Sequence, residues 1–378
     1  MHGLSLLLSS TPLEPPLDVP HCGTGGEAAT WISAYAPQLG APPPSGANHL
    51  AFQWSIERRG DLVVMRDMVG DGFSNEGLTY EGMYDALEYF YEIFPDDYEF
   101  VTVLTAQESS SAMGAWAFYS PLENEVEGIG QRVSSSGMHV DGFLFMNDWE
   151  YWTGADDTAT SAVFGQEFGH RWAAYVNYDL GSGERDDILG RDGSHWSYWL
   201  ETSNSPVEGN SWADNRDGSF TLDAQEEVAY SDLDLYLMGL LPADDVSPFF
   251  LIDNPTGLDR RASSAPEYYY TGRDLTAYGD RIDITIDDVI RVEGPRVPAA
   301  GDAPTTFKMA IVLVLSADEQ ARASEVNGCD AVRERFVEVW QGDTRDLGTL
   351  DTTLGETVVD PLDPDTFASP TLLPKAVW

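Results

Sequence analysis

Hydrophobic and polar positions begin to follow regular periods near residue 50 and keep doing so for most of the chain. Met83, Leu87 and Phe94 recur at helical spacing, which predicts a helix that stops before Pro95. Apolar runs and alternations predict strands at residues 51–56, 62–66, 99–104, 115–119, 140–146, 195–200 and 307–315. Shorter periodic segments predict helices at residues 231–240, 286–292 and 330–340. This mixture predicts an α+β fold.

The longest helical pattern covers residues 158–177. Within it Phe164, Phe168, Trp172 and Tyr175 recur at steps of three and four residues, and Asp156 precedes the segment as an N-cap candidate. The pattern predicts a largely buried helix.

The same patterns suggest how the chain is divided. Residues 1–48 are rich in proline, glycine and serine and have no periodicity, which predicts an extension and linker. We interpret residues 49–345 as one domain with an N-terminal subdomain, 49–177, and a C-terminal subdomain, 178–345. Residues 346–378 are then a C-terminal tail.

Charge narrows the range of partners. The 378 residues include 64 Asp and Glu but only 20 Lys and Arg, which gives a formal net charge of −44. Phosphate contacts need clustered cations, so this composition excludes a nucleic-acid binder and argues against anionic lipid surfaces. The longest apolar run, residues 309–315, is far shorter than the roughly 20 residues that cross a bilayer, so we expect no membrane span.

Two cysteines, Cys22 and Cys329, allow either one bridge or two unpaired thiols. The first eight residues lack a cationic segment and carry only a short apolar stretch, which does not match a normal secretory signal. Either the signal is missing from this chain, or export follows another route.

The chemistry is concentrated in the sequence Gln166-Glu167-Phe168-Gly169-His170. It matches four of the five positions of the metallopeptidase pattern H-E-x-x-H, in which two histidines one helical turn apart hold Zn²⁺ beside a catalytic glutamate. The first ligand position is Gln166. Gly165 and Gly169 strip side chains from one flank of the helix, which lets another backbone or a substrate strand approach closely.

A wider resemblance extends from about residue 50 to residue 350. It rests on the Glu-Phe-Gly-His-Arg-Trp run ending at Trp172, on Ser-His-Trp-Ser at 194–197, on Val-Glu-Gly-Asn at 207–210, and on segments 230–240 and 284–288. The chain thereby resembles a family of bacterial secreted zincin-type metallopeptidases, whose helix reads H-E-x-G-H-R-W. The resemblance implies a zincin-like fold with a mixed sheet, an active-site helix and a mainly irregular or helical C-terminal subdomain. It also implies a zinc cofactor, a peptide or protein substrate and an extracellular location.

In such a site Glu167 would act as the general base that takes a proton from water and passes it to the leaving amine. His170 would be one metal ligand. Gln166 could donate its amide oxygen, but an amide is a weaker zinc donor than imidazole, so we expect reduced affinity or a vacant site.

A further ligand must come from downstream, and four residues are candidates. His195 leads, because an imidazole that follows a glycine-rich loop suits zinc. Asp234 and Glu208 come next, and Glu201 is the weakest. Their structural alternatives are a histidine hydrogen-bonded within an aromatic cluster, a capping acid for Asp234 and a turn carboxylate for Glu208.

Other residues have auxiliary roles in this interpretation. Tyr236 or Tyr230 could donate its O–H group to the oxyanion of the tetrahedral intermediate. Arg171 is predicted to form a buried ion pair. Two hypotheses follow: a zinc metallopeptidase, or an impaired protein of the same fold that binds peptides or partners without cleaving them.

Overall fold

A computed structural model describes residues 54–131, 133, 139–224, 227–269 and 275–357. The predicted extension, residues 1–48, and Cys22 lie outside the described residues. The strands are β1 (Trp54–Arg59), β2 (Leu62–Asp67), β3 (Phe73–Ser74), β4 (Gly77–Leu78), β5 (Phe100–Thr105), β6 (Phe118–Pro121), β7 (Gly142–Asp148), β8 (Tyr178–Asp179), β9 (Glu184–Arg185), β10 (Trp196–Glu201), β11 (Glu208–Asn210), β12 (Trp212–Asp214), β13 (Ser219–Leu222), β14 (Phe249–Thr256), β15 (Leu275–Ile284), β16 (Thr306–Leu315) and β17 (Thr349–Asp351).

Helices lie between several of the strands. They are α1 (Tyr80–Ile93), α2 (Ser110–Met113), α3 (Trp149–Gly154), α4 (Asp157–Thr160), a π-helix (Ser161–Gly165), α5 (Gln166–Gly169), α6 (Asp232–Met238), α7 (Ile286–Glu293) and α8 (Ala323–Asp343), with 3₁₀ turns at Arg191–Gly193, Ala243–Asp245 and Glu267–Tyr269. In the described part of the chain, none of the helices combines the length and the apolar character that a bilayer span requires.

The larger sheet has the strand order β1-β2-β16-β5-β7-β6, with β17 paired to β16. Strand β16 lies in the middle with parallel neighbours β2 and β5, and β7 continues the parallel arrangement beyond β5. The edge strands β1 and β6 are antiparallel to their neighbours. Strand β16 is an almost continuous run of buried apolar residues, as expected for a parallel strand covered on both faces.

The two faces of this sheet are covered by different layers. Helix α1 packs on one face, where Met83 and Phe90 join a buried cluster with Val101. The other face is covered by α8 and by the helical segment of residues 157–169. Their contact is aromatic, with Phe164 stacked on Phe336 at a ring-centroid distance of 4.0 Å. The segment with the candidate chemistry is therefore central to the core.

The second sheet has the order β11-β10-β14-β15-β13-β12. Its outermost strands, β11 and β12, are separated in sequence by Ser211 alone, so the two edges of the sheet meet at that residue. The aromatic rings of Trp199 and Trp212 stack across this region at 5.6 Å. Strand β10 begins directly after His195, and β11 begins at Glu208, so this sheet positions two of the predicted ligands.

The α+β prediction is confirmed in this coarse form. The predicted subdomain boundary at residue 177 does not follow the sheets, because β16 and α8 return from the C-terminal half to the first sheet. Strand β17 likewise places residues 349–351 of the predicted tail against β16. Strands are neighbours in a sheet through pairing in space, and the hydrophobic pattern of the sequence did not indicate that β16 and α8 return to the first sheet.

Helix α8 offers a matched test of its packing through two glycines. A Cβ atom at Gly328 would lie 2.0 Å from Cζ3 of Trp149, whereas one at Gly342 would have no neighbour within 4 Å. We expect Gly328→Ala to lower the free energy of unfolding by about 2 kcal/mol because the site is overpacked. Gly342→Ala should raise it by up to about 1 kcal/mol through helix propensity. Urea unfolding measures both, and equal changes would contradict this packing.

Candidate functional site

The helix that carries the candidate chemistry is shorter and less regular than predicted. The side chain of Asp156 caps it by accepting from the N–H of Ala159 at 2.8 Å. After α4 and the π-helix, the last turn, α5, ends at Gly169 with His170 as its C-cap. The prediction of a helix over residues 158–177 is therefore wrong in its C-terminal half. Trp172 is buried although it lies beyond the end of the helix. It fits the helical spacing because hydrophobic periodicity reports burial, whether or not the chain is helical.

Other residues of the protein fill the space beside the two glycines of this helix. A Cβ atom at Gly169 would lie 2.6 Å from Cγ2 of Val207, and one at Gly165 would lie 2.7 Å from Oδ2 of Asp343. These side chains close this flank of the helix to a substrate strand. The close approach of Val207 also brings Glu208, the next residue, onto the helix.

Two of the predicted metal ligands, His170 and His195, meet at the end of the helix. Their Nε2 atoms are 3.2 Å apart, and the ring planes cross at 88°. The Nδ1 atom of His170 is 3.0 Å from the carbonyl oxygen of Ala173, and that of His195 is 3.1 Å from the carbonyl oxygen of Arg191. Each ring is thus oriented by a backbone carbonyl.

These carbonyl contacts fix the tautomers. A carbonyl oxygen only accepts hydrogen bonds, so each Nδ1 atom carries the proton and donates it. Burial lowers the pKa of His170 to about 4, and it lowers the pKa of His195 well below its usual value, so both rings are neutral at pH 7. Both Nε2 atoms therefore present lone pairs to each other.

Two opposed lone pairs repel unless a cation lies between them. Two imidazole nitrogens on one tetrahedral Zn²⁺, with bonds of 2.0–2.1 Å, would be about 3.3 Å apart. The observed separation of 3.2 Å fits this geometry. The Nδ1 hydrogen bonds to carbonyl oxygens are also the outer contacts that orient metal-binding histidines. The pair therefore fits a metal ion.

In the described residues, no three His, Cys, Asp or Glu side chains converge into a metal-binding group. Gln166 carries a donor of another kind on the same helical turn as His170. The N–H of His170 donates to the carbonyl oxygen of Gln166 at 3.0 Å, so one α-helical turn joins them and their side chains share a helix face. Oε1 of Gln166 is buried and has no hydrogen-bond partner among the described residues.

The orientation of the Gln166 amide is set by Glu208. Nε2 of Gln166 donates to Oε1 of Glu208 at 2.9 Å. An ionised carboxylate only accepts, so the NH₂ end faces Glu208 and the oxygen points away from it. Glu208 was predicted as a metal ligand, and in the structure its carboxylate accepts from Gln166 and contacts a cationic side chain.

That cation is Arg191, which the sequence analysis did not identify. Its Nε atom lies 2.9 and 3.1 Å from the two carboxylate oxygens of Glu208, and Nη2 forms a further contact. Burial raises the pKa of Glu208, and the arginine charge opposes that rise. The backbone of Glu208 has a φ of 84°, which is rare for a side-chain-bearing residue and directs its carboxylate into this contact.

The predicted general base, Glu167, is buried beside the edge strand β6. Its Oε2 atom accepts from the backbone N–H of Tyr119 at 3.0 Å. This hydrogen bond fixes the carboxylate of Glu167, which follows Gln166 directly in the chain. The contact joins residues 48 positions apart, and no sequence signal marked Tyr119.

Asp234 and Glu201 form their hydrogen bonds with residues other than His170 and His195. Asp234 accepts from Nε1 of Trp196 at 2.7 Å and from Ser231 in the capping box of α6, which is its structural alternative. Glu201 accepts from the N–H groups of Ser203 and Trp212. It lines a separate surface cavity of about 450 Å³.

The hydroxyl groups of both tyrosines that were predicted to stabilise an oxyanion form hydrogen bonds with the backbone. Tyr230 donates its O–H to the carbonyl oxygen of Gly165 at 2.6 Å. The hydroxyl oxygen of Tyr236 accepts from the backbone N–H of Arg296 at 3.0 Å. Both contacts hold structural elements together.

The predicted buried ion pair of Arg171 is confirmed. Its Nε atom lies 2.7 Å from Oδ2 of Asp141, and its Nη1 atom donates to Oδ1 of Asn124. The arginine side chain is almost fully buried. This pair anchors the residue that follows His170 to the start of strand β7.

Comparison with known protein families, with curated proteins and with solved structures gives no match. The resemblance to zincin-type metallopeptidases thus stays a prediction, and the candidate function rests on the geometry of the site.

Asp343, which lies against Gly165, gives the helix a pH-dependent contact. Its carboxyl group is buried, accepts from Oγ of Ser161 at 2.6 Å, and has a pKa raised to about 8, chiefly by burial. A pKa that is higher in the folded state stabilises the fold at low pH, and this stability is lost as pH rises from about 4 through 8.

We therefore expect Asp343→Asn to raise the free energy of unfolding at pH 9 by about 2 kcal/mol or more relative to the original protein, with a smaller difference at pH 5. Unfolding at constant ionic strength measures the difference, and Asp287→Asn, at an exposed position, controls for the loss of one negative charge. If the free energies of unfolding of the original protein and of Asp343→Asn changed with pH in parallel, ionisation of this carboxyl group would cost the folded protein no stability.

Proposed function

We propose that the protein is a secreted zinc metallopeptidase of the zincin type that hydrolyses peptide bonds. The observation that carries the proposal is the pair of buried imidazoles whose Nε2 atoms lie 3.2 Å apart while each Nδ1 atom contacts a backbone carbonyl oxygen. Such a contact is unfavourable by itself and fits a shared metal ion. The mixed sheet with the site helix on one face agrees with the fold that the resemblance implies.

Three neutral donors would hold the metal in this proposal: Nε2 of His170, Nε2 of His195 and Oε1 of Gln166. Lewis-acid polarisation of water and of the scissile carbonyl is the chemistry that Zn²⁺ supplies when bound. The donor set carries no negative charge, so the site would keep the full charge of the ion. The exposed fraction of each histidine is small, 8% for His170 and 6% for His195, so a metal ion held between them would be largely shielded from solvent.

Glu167 is the proposed base. Its carboxylate would accept a proton from the attacking water and deliver it to the leaving amine. The N–H of Tyr119 fixes one carboxylate oxygen, so the side chain does not have to be ordered during the reaction. The edge position of β6 places this base at the border of the larger sheet.

One observation favours a second function, in which the protein binds peptides or partners without cleaving them. Gln166 replaces an imidazole with an amide, a weaker zinc donor, at the first ligand position. The retained pair of histidines and Glu167 favours the enzyme.

Metal content tests the centre. We expect the purified protein to bind one equivalent of Zn²⁺ after dialysis against the ion, because the histidine lone pairs already converge. His195→Ala should lose it, and Gln166→His should bind it more tightly, since imidazole replaces an amide oxygen. Elemental analysis gives the stoichiometry, with the exposed His139→Ala as the control. Equal zinc content in His195→Ala and the original protein would exclude this site.

Peptide cleavage tests the base. Glu167→Gln keeps an oxygen that can accept from Tyr119 but cannot take up a proton at neutral pH, so kcat should fall at least about 100-fold. Its zinc content should be unchanged. Turnover of a casein-like substrate measures the effect. Unchanged kcat in a fully zinc-loaded variant would assign the proton transfer to another group.

A further inference from the structure

An amide ligand presents a problem that an imidazole does not. The side chain of glutamine can turn its oxygen or its NH₂ group toward the same point, and only the oxygen binds a metal. The NH₂ group would instead place donor hydrogens next to the cation. A site that uses Gln166 therefore needs a partner that fixes which end of the amide faces the histidines.

We propose that Glu208, held by Arg191, is a positioning residue that directs Oε1 of Gln166 toward the metal site of His170 and His195. The inference rests on the metal centre of the proposed function. Glu208 fixes the amide because it offers acceptors only, and its contact with Nε2 of Gln166 leaves Oε1 as the buried atom that has no hydrogen-bond partner within the described part of the chain.

The position of Glu208 is itself rigidly built. Its N–H donates to the carbonyl oxygen of Ser205 at 2.9 Å, which closes a tight turn. Its own carbonyl oxygen accepts from Oγ1 of Thr202 at 2.8 Å. The side chain is 1% exposed, and both carboxylate oxygens contact Arg191. Glu208 therefore has a single placement from which to hold the amide.

Arg191 connects two of the proposed ligands. Its guanidinium group holds the carboxylate of Glu208, which orients Gln166, while its backbone carbonyl oxygen accepts from Nδ1 of His195. One residue thus sets the amide orientation of one ligand and the tautomer of another. The same arrangement argues against Glu208 as a direct ligand, because its two oxygens are already engaged by Arg191 and Gln166.

The test is a thermodynamic cycle on zinc affinity. The Kd for Zn²⁺ is measured by competition with a chelator for the original protein, Glu208→Gln, Gln166→Ala and the double variant. We expect Glu208→Gln to weaken binding by at least about 10-fold when residue 166 is glutamine, as for other groups that orient metal ligands. In the Gln166→Ala background the same change should alter the Kd by less than about 2-fold, because there is no amide left to orient.

The control is Glu267→Gln, which breaks another buried contact between glutamate and arginine, that of Glu267 with Arg260. It should leave the Kd unchanged. If Glu208→Gln does not fold, Arg191→Lys replaces it in the cycle. That variant loses the two-oxygen contact with Glu208 but keeps the backbone carbonyl, and a smaller weakening in the same direction is expected.

The outcomes separate the inference from the function on which it rests. Equal weakening in both backgrounds would make Glu208 a direct ligand and overturn the positioning role. No weakening of Zn²⁺ binding in either background would also overturn that role. An original protein that binds no Zn²⁺ would overturn the metal centre together with the inference. A coupled cycle in a protein that cleaves no peptide would support the positioning role while the peptidase proposal fails.

Discussion

The site depends on the close approach of the segment around Val207 to the short helix that ends at Gly169. The absence of a side chain at Gly169 permits this contact, because a Cβ atom there would lie 2.6 Å from Cγ2 of Val207. The approach places Glu208 beside Gln166, and the strand that pairs with Glu208 starts directly after His195. Packing of the two sheets against one helix thereby brings residues from distant parts of the chain to one point.

Electrostatics then decide what this point can do. The histidine pair and the Gln166 amide are neutral, and the amide is held by the carboxylate of Glu208, whose charge is balanced by Arg191. Buried neutral donors with converging lone pairs are poorly solvated and favour a cation. The amide at position 166 makes the centre weaker than three imidazoles would, and the enzyme and the binding protein remain the two functions that follow from it.

Sequence patterns predicted the elements whose burial is strong and local. The apolar run of β16 and the capping box at the start of α7 appear in the structure near their predicted positions. Strand β15 was not predicted, because half of its ten residues are exposed and only two are buried. Within the site, the meeting of His170 with His195 followed from metal chemistry. The role of Arg191 depends on a contact with Glu208, 17 positions away and on the far side of strand β10 in the chain, that no spacing rule encodes.

The most direct test of the account is the protonation state of the two facing imidazoles, read by ¹⁵N NMR of labelled histidines during titration with Zn²⁺. The chain has six histidines. The account predicts that two of them, assigned through His170→Asn and His195→Asn, are neutral with protonated Nδ1, and that their Nε2 resonances shift together and saturate at one equivalent of zinc. A proton on either Nε2, shared between the rings and undisturbed by zinc, would mean that the contact is an ordinary hydrogen bond and that the metal centre does not exist.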